Sequence, residues 1–359
     1  MILNLIFLSV LFSACTPDEL IFSDQSIAIS SMGTFVSGTV SAPQSTWAST
    51  YQEIKDMYEF YHKLTDNYGG HEGVKGVYYI NDLVKTTQTD QTVEIEKELY
   101  DILKLSLELH ILTDGYFDIS IGRIVDVWKE LIDTYDYPGQ EVPQTLVEHA
   151  LSVVENIPVI EDAVTISKEA DKYYVTLKYG AKIDLGAIAK GYVTQLAANH
   201  LKSKGYDTFI ISGGGSSMLY GEGNPRTDDG SYRTGLINPQ DVINNLNILG
   251  YRPKNYGIYT STNYNVTTSG SYNQFVVSEE VMYHHIISPK TKAPANYYLT
   301  VSIVGTDAGL NDALSTALFN MPPEVLSAFV DTHALEVYTY LFNNSFESYN
   351  QTNNFRAIS

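Results

Sequence analysis

The chain has 359 residues, a formal net charge of −20, 44% hydrophobic residues and 28 tyrosines. That composition supports a large folded core and excludes general disorder. The acidic balance argues against nucleic acid or an anionic membrane surface as a general partner, so an anionic ligand here needs local positive charge or a bound cation.

Met1 to Ala14 are apolar apart from Asn4, Ser9 and Ser13. This run is shorter than the ~20 residues a bilayer-spanning helix needs and reads as a signal-peptide core, residues 1–14. Leu11-Phe12-Ser13-Ala14-Cys15 resembles a bacterial lipobox, in which the cysteine is lipidated and becomes the mature N-terminus. Cys15 is the sole cysteine, so no intrachain disulfide forms. The expectation is a lipid anchor on the extracytoplasmic face of a cell membrane, followed by a tether over residues 15–30.

Ordered structure is expected from about Ser31, in a domain spanning residues 31–342. Trp47 to Leu64, Glu94 to Leu112, Ile124 to Tyr135 and Gln144 to Val154 have helical apolar spacing. They suggest a helical block at about residues 50–155, a candidate subdomain of its own. Short strands follow at Ala163–Ile166, Tyr173–Lys178 and Ala181–Ile183. The last of these, a helix to Gly205 and a strand at Thr208–Ile211 predict a βαβ element with a parallel, right-handed crossover. Further strands alternate with turns to Leu299–Val304, then come helices from Gly309 and after Pro323, and a strand at Leu335–Leu341. Residues 343–359 read as a frayed polar tail. The class is α+β with a mixed sheet.

Two stretches could carry chemistry. Lys182 to Gly191 places Asp184, a glycine turn and Lys190 at a strand-to-helix junction, suited to a metal-bound phosphate. In Asp312-Ala-Leu-Ser-Thr316, the i, i+4 spacing puts Asp312 and Thr316 on one helical face with Ser315 beside them. A carboxylate and hydroxyls suit oxygen-only coordination of Mg2+; a helix cap plus a packed threonine fits the same pattern. His284 and His285 point to opposite faces of a strand, so one of them at most serves a given site. No third histidine has metal-ligand spacing, so no zinc site is expected. Gly213 to Gly215 provide ligand space or a tight turn.

Met32-Gly33-Thr34, Asp114-Gly-Tyr-Phe-Asp118, Asp184 to Gly191, Thr268-Ser-Gly270, His285-Ile-Ile-Ser-Pro289 and Asp312 to Thr316 together resemble the ApbE family. These are bacterial FAD:protein FMN transferases, often lipoproteins, and the resemblance covers about residues 32–340. It implies an ApbE-like fold and an enzyme that splits FAD, releases AMP and links FMN by a phosphoester bond to a threonine or serine of an exported acceptor protein. The Ala187 carbonyl, Asp312 and Thr316 would hold Mg2+, with Ser315 near. Met32, Tyr68, Tyr116, Phe117, Asp118, Asp184, Lys190 and Ile286 would line the FAD site. His285 is our hypothesis for the base, with Asp118 as the substitute. Ser288, Lys292 and Ser216 depart from the family pattern, which has an acid, a glycine and an acidic or amide residue there. An Mg2+-dependent FAD pyrophosphatase and a non-catalytic flavin-binding lipoprotein are the rival readings.

Overall fold

The structure, a computed structural model, describes residues 21–135 and 137–358; the expected signal-peptide core and Cys15 lie outside the described residues. In chain order it begins β1 (Phe22–Ser31), β2 (Thr34–Pro43), α1 (Gln44–Thr65), α2 (Val77–Thr87), β3 (Gln91–Ile95), α3 (Lys97–Leu112), α4 (Gly122–Asp133), β4 (Gln140–Glu141). It continues α5 (Gln144–Glu155), β5 (Val164–Glu169), β6 (Lys172–Leu177), α6 (Ala189–Ser203), β7 (Phe209–Gly213), β8 (Ser217–Tyr220), β9 (Tyr232–Ile237), α7 (Pro239–Ile243). Then follow β10 (Asn255–Ser261), β11 (Asn265–Gly270), β12 (Phe275–Ser278), β13 (Val281–His284), β14 (Thr300–Gly305) and α8 (Ala308–Asn320). The chain closes with α9 (Pro323–His333), β15 (Glu336–Tyr340), β16 (Phe346–Tyr349) and β17 (Phe355–Ala357). Among the described residues, no helix is long and apolar enough to cross a membrane.

The class is α+β, as expected, but the sheet connections differ from the sequence reading. The main sheet runs β1-β2-β7-β8-β11-β14-β15-β16, and every neighbouring pair in it is antiparallel. Among the described residues, parallel pairing of named strands is confined to the short β4–β12 contact. The expected βαβ element is not formed. β7, which follows α6, pairs antiparallel with β2 and β8, and Lys182 makes only an isolated bridge to Ile121. The physical reason is a side chain. Asn81 accepts from Ile183 N at 2.8 Å and donates to Ile183 O at 2.9 Å, so its amide takes the place of a neighbouring strand.

Both chain ends contribute more structure than expected. The stretch read as a tether includes β1, whose Ile27 and Ile29 are buried by period-two alternation and whose whole length pairs with β2. At the other end, Phe355 is buried with its ring 4.3 Å from that of Tyr338, so the expected frayed tail holds β16 and β17. The helical block is divided: Ile124 and Trp128 of α4 pack with Val147 and Val154 of α5 in a cluster largely their own, Ile54 and Tyr58 of α1 pack with α6, and α3 joins the main core. Leu99, Ile102 and Leu103 of α3 pack in one cluster with Ile188 beside α6, Ala313 and Ala317 of α8, and Val337 of β15.

α8 lies at the centre: eleven of its thirteen residues are buried. A helix enclosed on nearly all sides should be apolar throughout, and its polar residues need partners or a reason to lack them. That condition locates the site.

Candidate active site

Four buried polar residues on α8 divide into two kinds. Asn311 donates to Asn265 Oδ1 at 2.7 Å, and Ser315 Oγ lies 2.8 Å from Ser269 Oγ, so both are tied into β11. Asp312 and Asn320 are buried (5% and 2% exposed) but leave an oxygen open. Asp312 Oδ2 accepts from Gly191 N at 2.9 Å, while among the described residues Oδ1 takes no hydrogen bond. Asn320 donates to Ile287 O at 3.3 Å, and its Oδ1 has no partner among the described residues. Asp312, Thr316 and Asn320 follow at i, i+4 and i+8, and all three line the same cleft, of about 710 Å³.

A larger cavity, about 930 Å³, lies between α2, α4 and α5 and contains none of the predicted site residues. The smaller one brings them together: Met32, Tyr68, Tyr116, Phe117, Asp118, Asp184, Ala187, Lys190, His285, Ile286, Asp312 and Thr316 all line it. Ser315 stands behind Thr316, and Ser269 Oγ bridges the two at 2.8 and 3.3 Å. Its volume is in the range of small-molecule sites.

The floor depends on close contact between α6 and α8. A Cβ on Gly191 would stand 2.2 Å from Ala308 O and 2.5 Å from Asp312 Cβ, so only glycine lets the two helices approach this far. Before α6, Asp184 Oδ1 accepts from Gly186 N at 2.7 Å, closing the turn that carries Ala187. Lys190 donates to Gly186 O at 2.8 Å and forms no ion pair among the described residues. Burial pushes the Asp312 carboxyl above the usual carboxylate range, against the opposing pull of Lys190 and the Gly191 N–H. An open carboxylate oxygen, a hydroxyl and a turn carbonyl form an oxygen donor set that fits Mg2+.

The rim is made of turns. Met32 and Gly33 are the two residues between Ser31 and Thr34, which pair directly, and both have positive φ, +54° and +67°. This is the primed two-residue hairpin turn, which prefers Asn-Gly, yet Met32 stands there and lines the cleft. Tyr68 is 56% exposed, its ring 5.4 Å from both Lys129 Nζ and Lys182 Nζ. Asp118 is committed to a turn, its Oδ1 accepting from Ser120 N at 2.7 Å. Phe117 is buried, and Tyr116 carries Lys290 Nζ 5.2 Å from its ring.

The two histidines separate as their spacing predicts. His284 is buried, with Nδ1 accepting from Ile286 N and Nε2 facing Ala295 O, a structural role. His285 faces the cleft. Its Nδ1 lies 3.3 Å from Gln274 O, which can only accept, so the proton is assigned to Nδ1 and Nε2 keeps its lone pair. The ring is reached by solvent but surrounded by cleft walls. That desolvation, with Lys190 and Lys129 near, pushes its pKa down to about 4. His285 is therefore neutral at pH 7.

The departures from the family pattern have local explanations. Lys292 holds φ +59°, the conformation for which the resemblance expects glycine. Its ammonium donates to Glu155 O and Ile157 O at the end of α5, and its carbonyl accepts from Trp128 Nε1 at 2.8 Å. Ser216 Oγ donates to Gly213 O in the turn between β7 and β8, and Ser288 is buried in the turn before Pro289. Asn320 was missed by the sequence reading, although continuing the Asp312–Thr316 spacing by one more turn finds it.

The family model described as "ApbE family" matches residues 32–339. Two curated relatives, both named FAD:protein FMN transferase, come from Klebsiella pneumoniae and Vibrio cholerae. The first is 26% identical over 239 residues, 65% of each chain; the second is 24% identical over 258 residues, 68% of this chain and 66% of the relative. These matches span slightly less than two thirds of the relatives' own length. The solved ApbE protein of Thermotoga maritima superposes with a TM-score of 0.71 at 23% identity, covering 91% of this chain and 97% of that one.

Proposed function

The chain belongs to the ApbE family, and from that premise we propose that it is an Mg2+-dependent FAD:protein FMN transferase. The single observation that carries this reading is the open Asp312 oxygen, on the same helical face as Thr316 and beside the unpaired Lys190 ammonium. In a chain of net charge −20, Lys190 and a cation held by Asp312 are where a diphosphate can find positive charge. Asp312, Thr316 and the Ala187 carbonyl would hold Mg2+, with Ser315 supporting Thr316. When bound, the ion supplies Lewis-acid polarisation of a phosphoryl oxygen and neutralises charge on the departing phosphate.

The chain's own residues do the rest. Lys190 exchanges its bond to Gly186 O for an oxygen of the diphosphate. Met32, Tyr68, Tyr116, Phe117 and Ile286 pack against the ring systems of FAD, and Asp184 holds the turn under Ala187. The hydroxyl of an acceptor threonine or serine attacks the phosphorus of the FMN half, and the bond to AMP breaks, with its electron pair leaving on AMP. The proton passes to His285 Nε2, the lone pair left free by the Nδ1 contact to Gln274. An imidazole pushed down to about 4 is a weak base, and the negative charge of bound FAD raises it toward neutrality. Asp118 is the poorer candidate because its carboxylate is held by Ser120 N.

A lipid anchor at Cys15 would keep this cleft on the extracytoplasmic face, where an exported acceptor is met. The test is incubation of the protein with FAD, Mg2+ and an acceptor domain, following AMP and the acceptor's mass. An FMN adduct with stoichiometric AMP is expected. AMP without an adduct identifies a pyrophosphatase, and FAD binding without AMP a carrier; either overturns the transferase reading.

A further inference from the structure

Three potential ligands gather where α1 ends. His62 lies in its last turn, Asp66 follows its last residue, and His71 returns after the loop Asn67-Tyr68-Gly69-Gly70. One ligand atom from each of the three lies within 4.8 Å of the others. His71 Nε2 is 3.0 Å from Asp66 Oδ2, and the His62 and His71 rings meet edge to face with centroids 5.4 Å apart. All three side chains are half-buried. We propose that His62, Asp66 and His71 form a site for a first-row divalent cation such as Zn2+, separate from the cation position on the cleft floor.

The donor set points to this class of ion. Two imidazoles and one carboxylate, with a fourth position left for water, suit Zn2+ rather than the oxygen-seeking Mg2+. Two atoms each about 2.0–2.1 Å from a tetrahedral zinc stand roughly 3.3 Å apart. The Asp66–His71 separation of 3.0 Å is already close to that, and the His62 ligand atom lies within 4.8 Å of both. The i, i+4 spacing sets His62 and Asp66 on one face, at the helix end whose carbonyls favour a cation. The carboxylate is also oriented in advance. Asp66 Oδ1 accepts from Tyr68 N at 2.8 Å and Gly69 N at 3.1 Å, leaving Oδ2 for the ion. Such outer contacts are what fix a ligating carboxylate. Sequence spacing points to no zinc site, and this proposal departs from that expectation because His62, Asp66 and His71 come together only where the loop folds back.

The loop enclosed by the three ligands forms one wall of the cleft. Asn67 donates to Asp184 Oδ2 at 3.0 Å and accepts from Asn81 at 2.9 Å, and Tyr68 faces the cleft beside it. A cation here therefore stiffens the support of Asp184 and Tyr68. That consequence rests on the flavin reading, whereas the metal site itself does not.

The test is a calorimetric titration of Zn2+ into chelator-treated full-length protein in excess Mg2+, which keeps the floor position occupied. One Zn2+ per chain is expected, with slowed amide exchange at Tyr68 and Gly69. His62→Ala and His71→Gln should each weaken binding by more than the about 10–100-fold that outer-shell partners carry, and abolish the slowing. Glutamine at 71 can still hydrogen-bond Asp66, so this variant keeps the loop's own staple if His62→Ala fails to fold. No Zn2+ binding by the unmodified protein, or equal binding by His71→Gln, overturns the proposal.

Discussion

On the floor of the cleft, α6 and α8 touch at Gly191, where an added methyl would stand 2.2 Å from Ala308 O. On its rim, Met32, Tyr68 and His285 sit on turns or beside them, and Tyr68 is more than half exposed. The floor places its polar groups by close packing of a buried helix, so the residues proposed to hold a cation also sit in the fold's packed core. The rim places its groups by local turns, so its residues can change without disturbing the core. Substitution should expose that difference.

The largest effect is expected at the rim. His285→Ala should lower acceptor flavinylation about 100–10,000-fold, the usual worth of a general base, with stability within about 0.5 kcal/mol of the unmodified protein. Full activity would remove His285 as the base. The floor should respond in the opposite way. Gly191→Ala overpacks the α6–α8 contact and should cost about 3 kcal/mol in denaturant unfolding, taking FAD binding with it. An unchanged midpoint would mean the helices can separate, and the floor is not rigid.

The next two substitutions refine the comparison. Asn320→Leu removes a buried oxygen that has no partner among the described residues, but also the donor to Ile287 O, so the two effects oppose and stability should stay within about 1 kcal/mol of the unmodified protein. FAD should bind roughly five- to tenfold more weakly if that oxygen accepts a hydrogen bond from the ligand. Unchanged FAD affinity would make Asn320 packing alone. Met32→Asn fits the positive-φ hairpin position better and should stabilise by about 1 kcal/mol, while FAD affinity falls by a small factor. A gain in both would show that Met32 is not a contact.

What was legible in the sequence follows the same division. Asp312, Thr316 and Lys190 stand out by residue type and helical spacing, and the structure brings all three to one cleft, with the helix around Asp312 starting within one residue of the expected Gly309. The βαβ unit was misread because the apolar run before Asp184 looks like a strand, whereas its partner is the side chain of Asn81, about a hundred residues earlier. No local pattern encodes such a contact. β1 reads as a tether because its inward face has just two apolar residues, Ile27 and Ile29, beside the polar Gln25, and pairing with β2 supplies what propensity does not. His62, Asp66 and His71 are adjacent only because the 66–71 loop folds back, which spacing alone does not reveal. Lys292 shows the limit of reading a departure as a defect, since its side chain supports the conformation a glycine would have adopted without help.

The central claim is that the floor activates the FAD diphosphate through a cation held by Asp312, and AMP release as a function of Mg2+ tests it most directly. The unmodified protein should release AMP with a saturable Mg2+ requirement. Because burial raises the pKa of Asp312, protons compete with the cation, and more Mg2+ should be needed as pH falls from 7.5 toward 5. Asp312→Asn, close in shape and free of the buried charge, should fold normally yet lose about 100–1000-fold in AMP release at any Mg2+ concentration. AMP release that is independent of Mg2+, or that survives in Asp312→Asn, would contradict the account.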